Sequence, residues 1–331
     1  MKKNTILFNL LAVILCATAA PAAAADFCGQ TCTDCCEWSV LDGKMTVGAD
    51  WLYWNVQQDG ISPGTISVID STATPPLTSR SNVYPKSKWN NGFRVNLGYE
   101  LPCQCWDVNL SYSYIPTKAT ITDFVAANEN ESFAVFGGPL FDAFRSKWNM
   151  NLQNVDLDIG RVVSFGECLS IKPHVGFRAT WFNQKFHAVG FTVEDETPLF
   201  SYTTISEKFQ GYGVEAGLWT DYKLGCGVSL VGHFGGSILY SKFKVNTTNH
   251  LGAVIETELT PVAALVSSNS FCTATPSLDY FVGIQYADTM CDMLFKIHAG
   301  WEQHVLFDTN RYLSSGNLTT QGLTLGLEAG F

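Results

Sequence analysis

The sequence predicts an all-β chain, a transmembrane antiparallel up-and-down β-barrel of about ten strands, and three observations carry that reading. The chain opens on the pattern of an export signal. No later stretch stays apolar for the ~20 residues that a helical span needs, so a membrane span has to be a closed barrel. Period-two alternation of apolar with polar or small residues then recurs as far as Phe331. A count of twelve or more strands stays open, because the long connections contain extended-looking pieces at 119–125 and 200–205.

Lys2 and Lys3 precede an apolar run over residues 6–16 and a small-residue stretch over 19–25. Positive, then apolar, then small is the order of a cleaved secretory signal, placed here at residues 1–25. Residues 26–43 follow as a Cys-rich periplasmic segment, and 44–331 as the barrel. Composition agrees: charged residues are 15%, below the usual quarter or so, while aromatics reach 13%, which suits strands that face lipid and end in interfacial rings. The formal net charge of −10 argues against nucleic acid as a partner.

The first strand is expected at 44–56 and the second at 92–101, where Phe93, Val95, Leu97, Tyr99 and Leu101 share one face opposite Arg94, Asn96, Gly98 and Glu100. A tight turn at 102–105 leads to 106–114, which makes the pair a hairpin. Strands at 148–164, 169–182, 210–224, 228–245, 278–287, 293–303 and 322–331 complete the set. Within 148–164 the apolar phase moves from Trp148, Met150 and Leu152 to Val155, Leu157 and Ile159, which reads as a bulge near Gln153 and Asn154. Connections at 102–105, 165–168, 225–227 and 288–292 are tight, and those at 57–91, 117–147, 183–209, 246–277 and 304–321 are long and polar. Short turns on one side and long loops on the other are the asymmetry of an outer-membrane barrel. The last strand puts Leu323, Leu325, Leu327, Ala329 and Phe331 on one face, like the carboxy-terminal signature of such barrels.

Strand phase sends Arg94, Glu100, Asp107, Asp156, Asp158, Lys172, His174, Arg178, Glu215, His233, Lys296, His298 and Glu328 into the lumen. Such charges either set ion selectivity through their field or pair off to fill a narrow interior. The excess of acids favours cations. Trp51, Tyr53, Trp54, Trp106, Tyr112, Tyr114, Trp181, Tyr222, Tyr240, Tyr286 and Trp301 are candidates for the interfacial girdles. Cys28, Cys32, Cys35 and Cys36 precede the first strand, Cys103, Cys105, Cys168, Cys226 and Cys291 lie at short turns, and Cys272 lies in a long loop. The first nine fall on the periplasmic side, an oxidising compartment, and are candidates for disulfides within the rim or to other Cys-rich envelope proteins. Adjacent Cys35 and Cys36 are not expected to pair with each other. The alternative, zinc at Cys32-Thr33-Asp34-Cys35, lacks a second Cys pair and a nearby His. No nucleophile elbow, zinc-protease or phosphate-loop motif occurs, and Gly211-Tyr212-Gly213 sits in a strand, so no catalytic residue, metal ligand or cofactor is expected.

Four stretches together, Asp50-Trp51-Leu52-Tyr53-Trp54, Gly92-Phe93-Arg94, His174-Val175-Gly176-Phe177-Arg178 and Gly211-Tyr212-Gly213, resemble the Legionella-type pore-forming outer membrane proteins, a family found also in chlamydia-like bacteria. The resemblance covers most of the mature chain and implies a surface-exposed barrel with porin activity and no catalytic residues. The number of cysteines looks more like the chlamydial major outer membrane proteins, which disulfides cross-link. The expected function is therefore a porin-like channel for passive diffusion of small hydrophilic solutes, with a disulfide-linked structural role. The alternatives are a structural envelope protein or a surface adhesin with little channel activity. Expected partners are outer-membrane lipid and lipopolysaccharide, Cys-rich envelope proteins, a host surface and further copies of the chain.

Overall fold

The computed structural model describes residues 44–331 except 63, 71–76, 85–87, 102–105, 127–130, 136–139, 167, 193–198, 256–257, 291–292 and 312–314. The expected signal at 1–25 and the Cys-rich segment at 26–43 lie outside the described residues.

The described chain is all strand: β1 (Lys44–Gln58), β2 (Gly64–Asp70), β3 (Leu77–Asn82), β4 (Trp89–Glu100), β5 (Trp106–Val125), β6 (Glu131–Val135), β7 (Leu140–Phe141), β8 (Ala143–Arg161), β9 (Val163–Phe165), β10 (Leu169–Thr192), β11 (Leu199–Gly225), β12 (Val228–Ile255), β13 (Glu258–Met290), β14 (Met293–Asn310) and β15 (Gly316–Gly330). Ten of them, β1, β4, β5, β8 and β10 to β15, pair antiparallel with their neighbours in that order. β15 returns to β1, with Trp51 opposite Leu325 and Asp50 opposite Gly326, so the sheet closes on itself. Closure leaves no unpaired strand edge, the condition for a sheet in lipid. At the seam Met45 and Phe331 exchange two backbone hydrogen bonds of 2.9 Å.

The alternation seen in the sequence sorts side chains between lipid and lumen. Val47, Trp51, Phe93, Val95, Leu97, Leu157, Ile159, Val175, Phe177, Val214, Ile238, Val282, Ile284, Ile297 and Leu327 all stand exposed on the outside. They form the belt that meets the acyl chains. Aromatics flank it at the end of the long hairpins: the Trp181 indole donates to the Tyr212 hydroxyl at 2.9 Å, and Trp51 stacks on Tyr53. Trp54, counted among the girdle rings from sequence, is instead turned inward and 1% exposed. It follows Tyr53 on the strand and so takes the opposite face.

Three expectations are corrected by the pairing. The stretches 183–209, 246–277 and 304–321 are mostly strand, since β10 and β11 stay in register out to Thr192 and Leu199, and β12 and β13 out to Ile255 and Glu258. Their Ser, Thr, Asn and Lys read as loop because the outer face of a ribbon that has left the bilayer meets water. The pieces at 119–125 and 200–205 belong to β5 and β11. The bulge near Gln153 and Asn154 is absent: β8 pairs without a shift through both residues with β5 and β10, and the irregularity lies in β5 between Thr120 and Thr122. What changes along β8 is the environment. Val155, Leu157 and Ile159 point to lipid, whereas Trp148, Met150 and Leu152 point inward and are buried to 1%.

The same inversion occurs around the wall. Leu52, Trp54, Val56, Ile115, Phe182, Phe186, Phe209, Leu239 and Phe243 project inward and join one apolar core in the half of the barrel toward the long hairpins. The first two long connections add to it. They form a four-stranded sheet, β3-β2-β6-β7, whose Phe133 stacks on Phe144 at 4.1 Å between ring centres. Ile61, Phe133 and Phe141 belong to the same core.

Candidate functional site: the charged lumen

Below that apolar core the interior is polar, because the residues that alternate with the lipid belt are Asp, Glu, Arg, His, Ser and Gly. Arg178 on β10 reaches Asp156 and Glu215 through Nε, each at 2.7 Å, and Asp279 on β13 through Nη1 at 2.8 Å. His304 on β14 lies between Asp279, at 3.6 Å, and Glu302, at 2.8 Å. Arg94 on β4 meets Glu302 at 2.6 Å and Asp50 at 3.4 Å, and His298 Nε2 lies 3.4 Å from the other Asp50 oxygen. These contacts link residues of β8, β10, β11, β13, β14, β4 and β1 into a chain of charges across the barrel.

Trp54 joins this network to the apolar core. Its indole N–H donates to the Thr324 hydroxyl at 3.1 Å, which donates to Glu302 at 2.8 Å, and its ring lies 4.9 Å from that of His304. The Arg94 guanidinium sits 5.7 Å from the Trp54 ring centre, a cation–π distance. Space for the network comes from small residues. A Cβ on Gly326 would collide with the His298 ring and the Asp50 carboxylate.

Toward the short turns the polar groups open to water. Lys172 pairs with Asp107 at 2.6 Å and Lys296 with Glu328 at 2.8 Å, and these side chains keep about a quarter of their surface accessible, between 25% and 29%. His174 and His233 stack with their Nε2 atoms 3.5 Å apart, and Trp219 stacks on His233. Accessibility falls along the lumen, to 11% at Arg178 and 3% at Asp279, and the apolar core above is drier still, with Leu52, Phe182, Leu239 and Phe243 at 0%.

All ten candidates Arg94, Asp156, Asp158, Lys172, His174, Arg178, Glu215, His233, Lys296 and His298 lie on inward-facing positions of their strands. Arg94, Asp156, Arg178, Glu215 and His298 enter the network, whereas Lys172 and Lys296 sit nearer the turns. Asp50, Asp279, Glu302 and His304 were missed, although the alternation that found Arg94 also turns Asp50 and Glu302 inward. The cysteines divide. Cys168 is not among the free thiols. Cys226, expected among the bridged cysteines, is a free, exposed thiol at the tip of the β11–β12 turn, with φ of 51° between Gly225 and Gly227. Cys272 is free and exposed on a strand, β13, and not in a loop. Cys28, Cys32, Cys35, Cys36, Cys103, Cys105 and Cys291 lie outside the described residues. No group of His, Cys, Asp and Glu among the described residues has the arrangement of a metal site.

A closed antiparallel barrel with a lipid belt, aromatic girdles and a polar lumen defines an outer-membrane β-barrel protein. The chain belongs to the family of the Legionella pneumophila major outer membrane protein precursor, whose pattern matches residues 38–329. Among solved structures it is similar to the Escherichia coli outer membrane protease OmpT, with 10% identity, a TM-score of 0.45, and 89% of this chain and 98% of that one covered. It is similar also to a major outer membrane protein from Thermus thermophilus, at 15% identity, a TM-score of 0.37 and coverage of 88% and 100%. The Pseudomonas putida toluene transporter TodX matches at 8% identity and a TM-score of 0.28, over 87% and 89% of the two chains. No curated protein matches the chain.

Proposed function

We propose that this protein is a porin-like channel for small hydrophilic solutes, with a lumen that is wet at the periplasmic mouth and closed by the apolar core toward the outside. The observation that carries the reading is the gradient of accessibility along one polar lumen, from the 26% and 28% exposed Lys172 and Lys296 to the 3% exposed Asp279. Passage requires the inward rings above Trp54 to part. The network also sets a preference, because the five carboxylates of Asp50, Asp156, Glu215, Asp279 and Glu302 outnumber Arg94 and Arg178 even with the imidazoles of His298 and His304 counted beside them. An acidic constriction draws cations. Swelling of vesicles carrying the folded protein, in a graded series of neutral sugars, tests the reading. Entry of the smallest sugars alone is expected, and vesicles that admit none while the protein is folded would sink it.

A second reading, a structural envelope protein with little conduction, is favoured by the zero exposure of Leu52, Phe182, Leu239 and Phe243 across the lumen. Its chemistry is the exposed Cys226 thiol on the short-turn side, in reach of Cys-rich envelope partners. Electrophoresis with and without reductant tests it, since linkage predicts high-mass species that reductant dissolves and the absence of such species removes the role.

A further inference from the structure

Above the girdle, the outer wall of β10, β11 and β12 carries lysines without acidic partners. Lys185, Lys208, Lys242 and Lys244 alternate with the buried Gln184, Phe186, Glu207, Phe209, Ser241, Phe243 and Val245, so all four project outward, and all are exposed. Among the described residues none of the four takes part in an ion pair. Register packs them together. Lys208 stands directly opposite Lys244, and Lys242 is opposite Gln210, two positions along from Lys208. On the other side Lys208 is opposite Asn183, two positions along from Lys185. Directly opposed Cβ atoms lie about 5 Å apart and diagonal ones about 7–8 Å, and like charges in direct opposition destabilise a sheet. Four ammonium groups gathered around Lys208 are therefore held at a cost unless an anion lies among them.

The height of this patch says which anion. Trp181, Tyr212 and Tyr240 form the girdle immediately below, and Val214, Ile238 and Phe177 face the acyl chains below that. Lys242 is two residues above Tyr240 and Lys208 four above Tyr212, about 7 and 13 Å along strands that rise roughly 3.3 Å per residue. Headgroup phosphates lie at that depth, on the side of the long hairpins, which is the outer leaflet. We propose that Lys185, Lys208, Lys242 and Lys244 form a binding site for the phosphorylated glycolipid of the outer leaflet. Its phosphates sit among the ammonium groups and its acyl chains lie along the belt beneath. The inference rests on the membrane level set by the belt and girdle, and is independent of the channel reading.

The test titrates detergent-solubilised, folded protein with diphosphorylated lipid A and follows bound lipid by native mass spectrometry. The triple variant Lys185→Gln, Lys208→Gln, Lys244→Gln is expected to bind at least ten-fold more weakly, and Lys223→Gln, at the opposite end of β11, to bind as wild type. Lipid A stripped of phosphate is expected to lose the same affinity toward the wild type. Without lipid the triple variant is expected to unfold at the same temperature as wild type or higher, since repulsion has been removed, and Lys208→Gln alone gives a smaller loss of binding in the same direction. Undiminished binding by the triple variant, indifference to the phosphates, or inorganic phosphate bound as tightly as the lipid would each overturn the proposal.

Discussion

Arg178 is the residue on which the lumen's electrostatics converge, since a single guanidinium meets Asp156, Glu215 and Asp279 at 2.7, 2.7 and 2.8 Å. Removing one member of a buried ionic cluster costs about 3–5 kcal/mol, because the partners stay behind without compensation. Arg178→Ala is expected to lower the stability of the vesicle-embedded barrel to urea by that order, and Arg178→Lys to recover only part, since an ammonium cannot reproduce the fork. An unchanged urea midpoint for Arg178→Ala would mean that the cluster contributes nothing to the fold. Glu207 presents a different case. It stands five residues above Tyr212, outside the membrane-spanning part of β11, accepts the backbone N–H of Arg311 at 3.2 Å, and is fully buried. Burial raises its carboxyl from 4.5 to about 7. A group whose folded value is raised binds its proton more tightly when folded, so stability is greatest below pH 4.5 and falls as pH rises to about 7. The loss is up to about 3 kcal/mol. Glu207→Gln should flatten the urea midpoint between pH 5 and pH 8, and a wild type with no slope over that interval would contradict the assignment.

At the scale of elements, the hairpins decide the shape of the molecule. β12 and β13 remain paired for ten residues beyond Val245 on β12, out to Ile255. Among the described side chains none of residues 246–252 belongs to the buried apolar core, which ends on these strands at Val245, with Phe271 packed against it. Replacing residues 246–268 by an Asn-Gly turn is therefore expected to leave a barrel that still shows heat-modifiable mobility on gels, with its unfolding temperature within a few degrees of wild type. Loss of folding would mean that the ribbon is part of the core. The membrane-level strands were legible in the sequence because one face is uniformly apolar there, as in Phe93, Val95 and Leu97. Above the bilayer the signal inverts. On β8 the apolar residues move from Val155, Leu157 and Ile159 outside to Trp148, Met150 and Leu152 inside, and period alone cannot separate that inversion from a one-residue bulge. The same inversion explains Trp54, a ring beside two girdle rings that belongs to the interior. In the lumen, alternation places Arg94 and Arg178 on the correct face, but the partners they meet across the barrel, Glu302 and Asp279, lie 208 and 101 residues away in sequence. Only closure brings them together.

The whole molecule thus has two interiors stacked in one barrel, a polar one level with the lipid and an apolar one above it, with Trp54 at the boundary. A lysine collar stands toward one end and the free Cys226 thiol at the other, but the state of the lumen determines whether it conducts. The most direct measurement is single-channel conductance in planar bilayers for the wild type and for Trp54→Ala, Phe182→Ala, Phe243→Ala combined. Small and infrequent openings are predicted for the wild type, with larger, sustained, cation-preferring steps once the three rings are removed. Equal conductance from both proteins, each verified as folded, would contradict an interior closed by its apolar core.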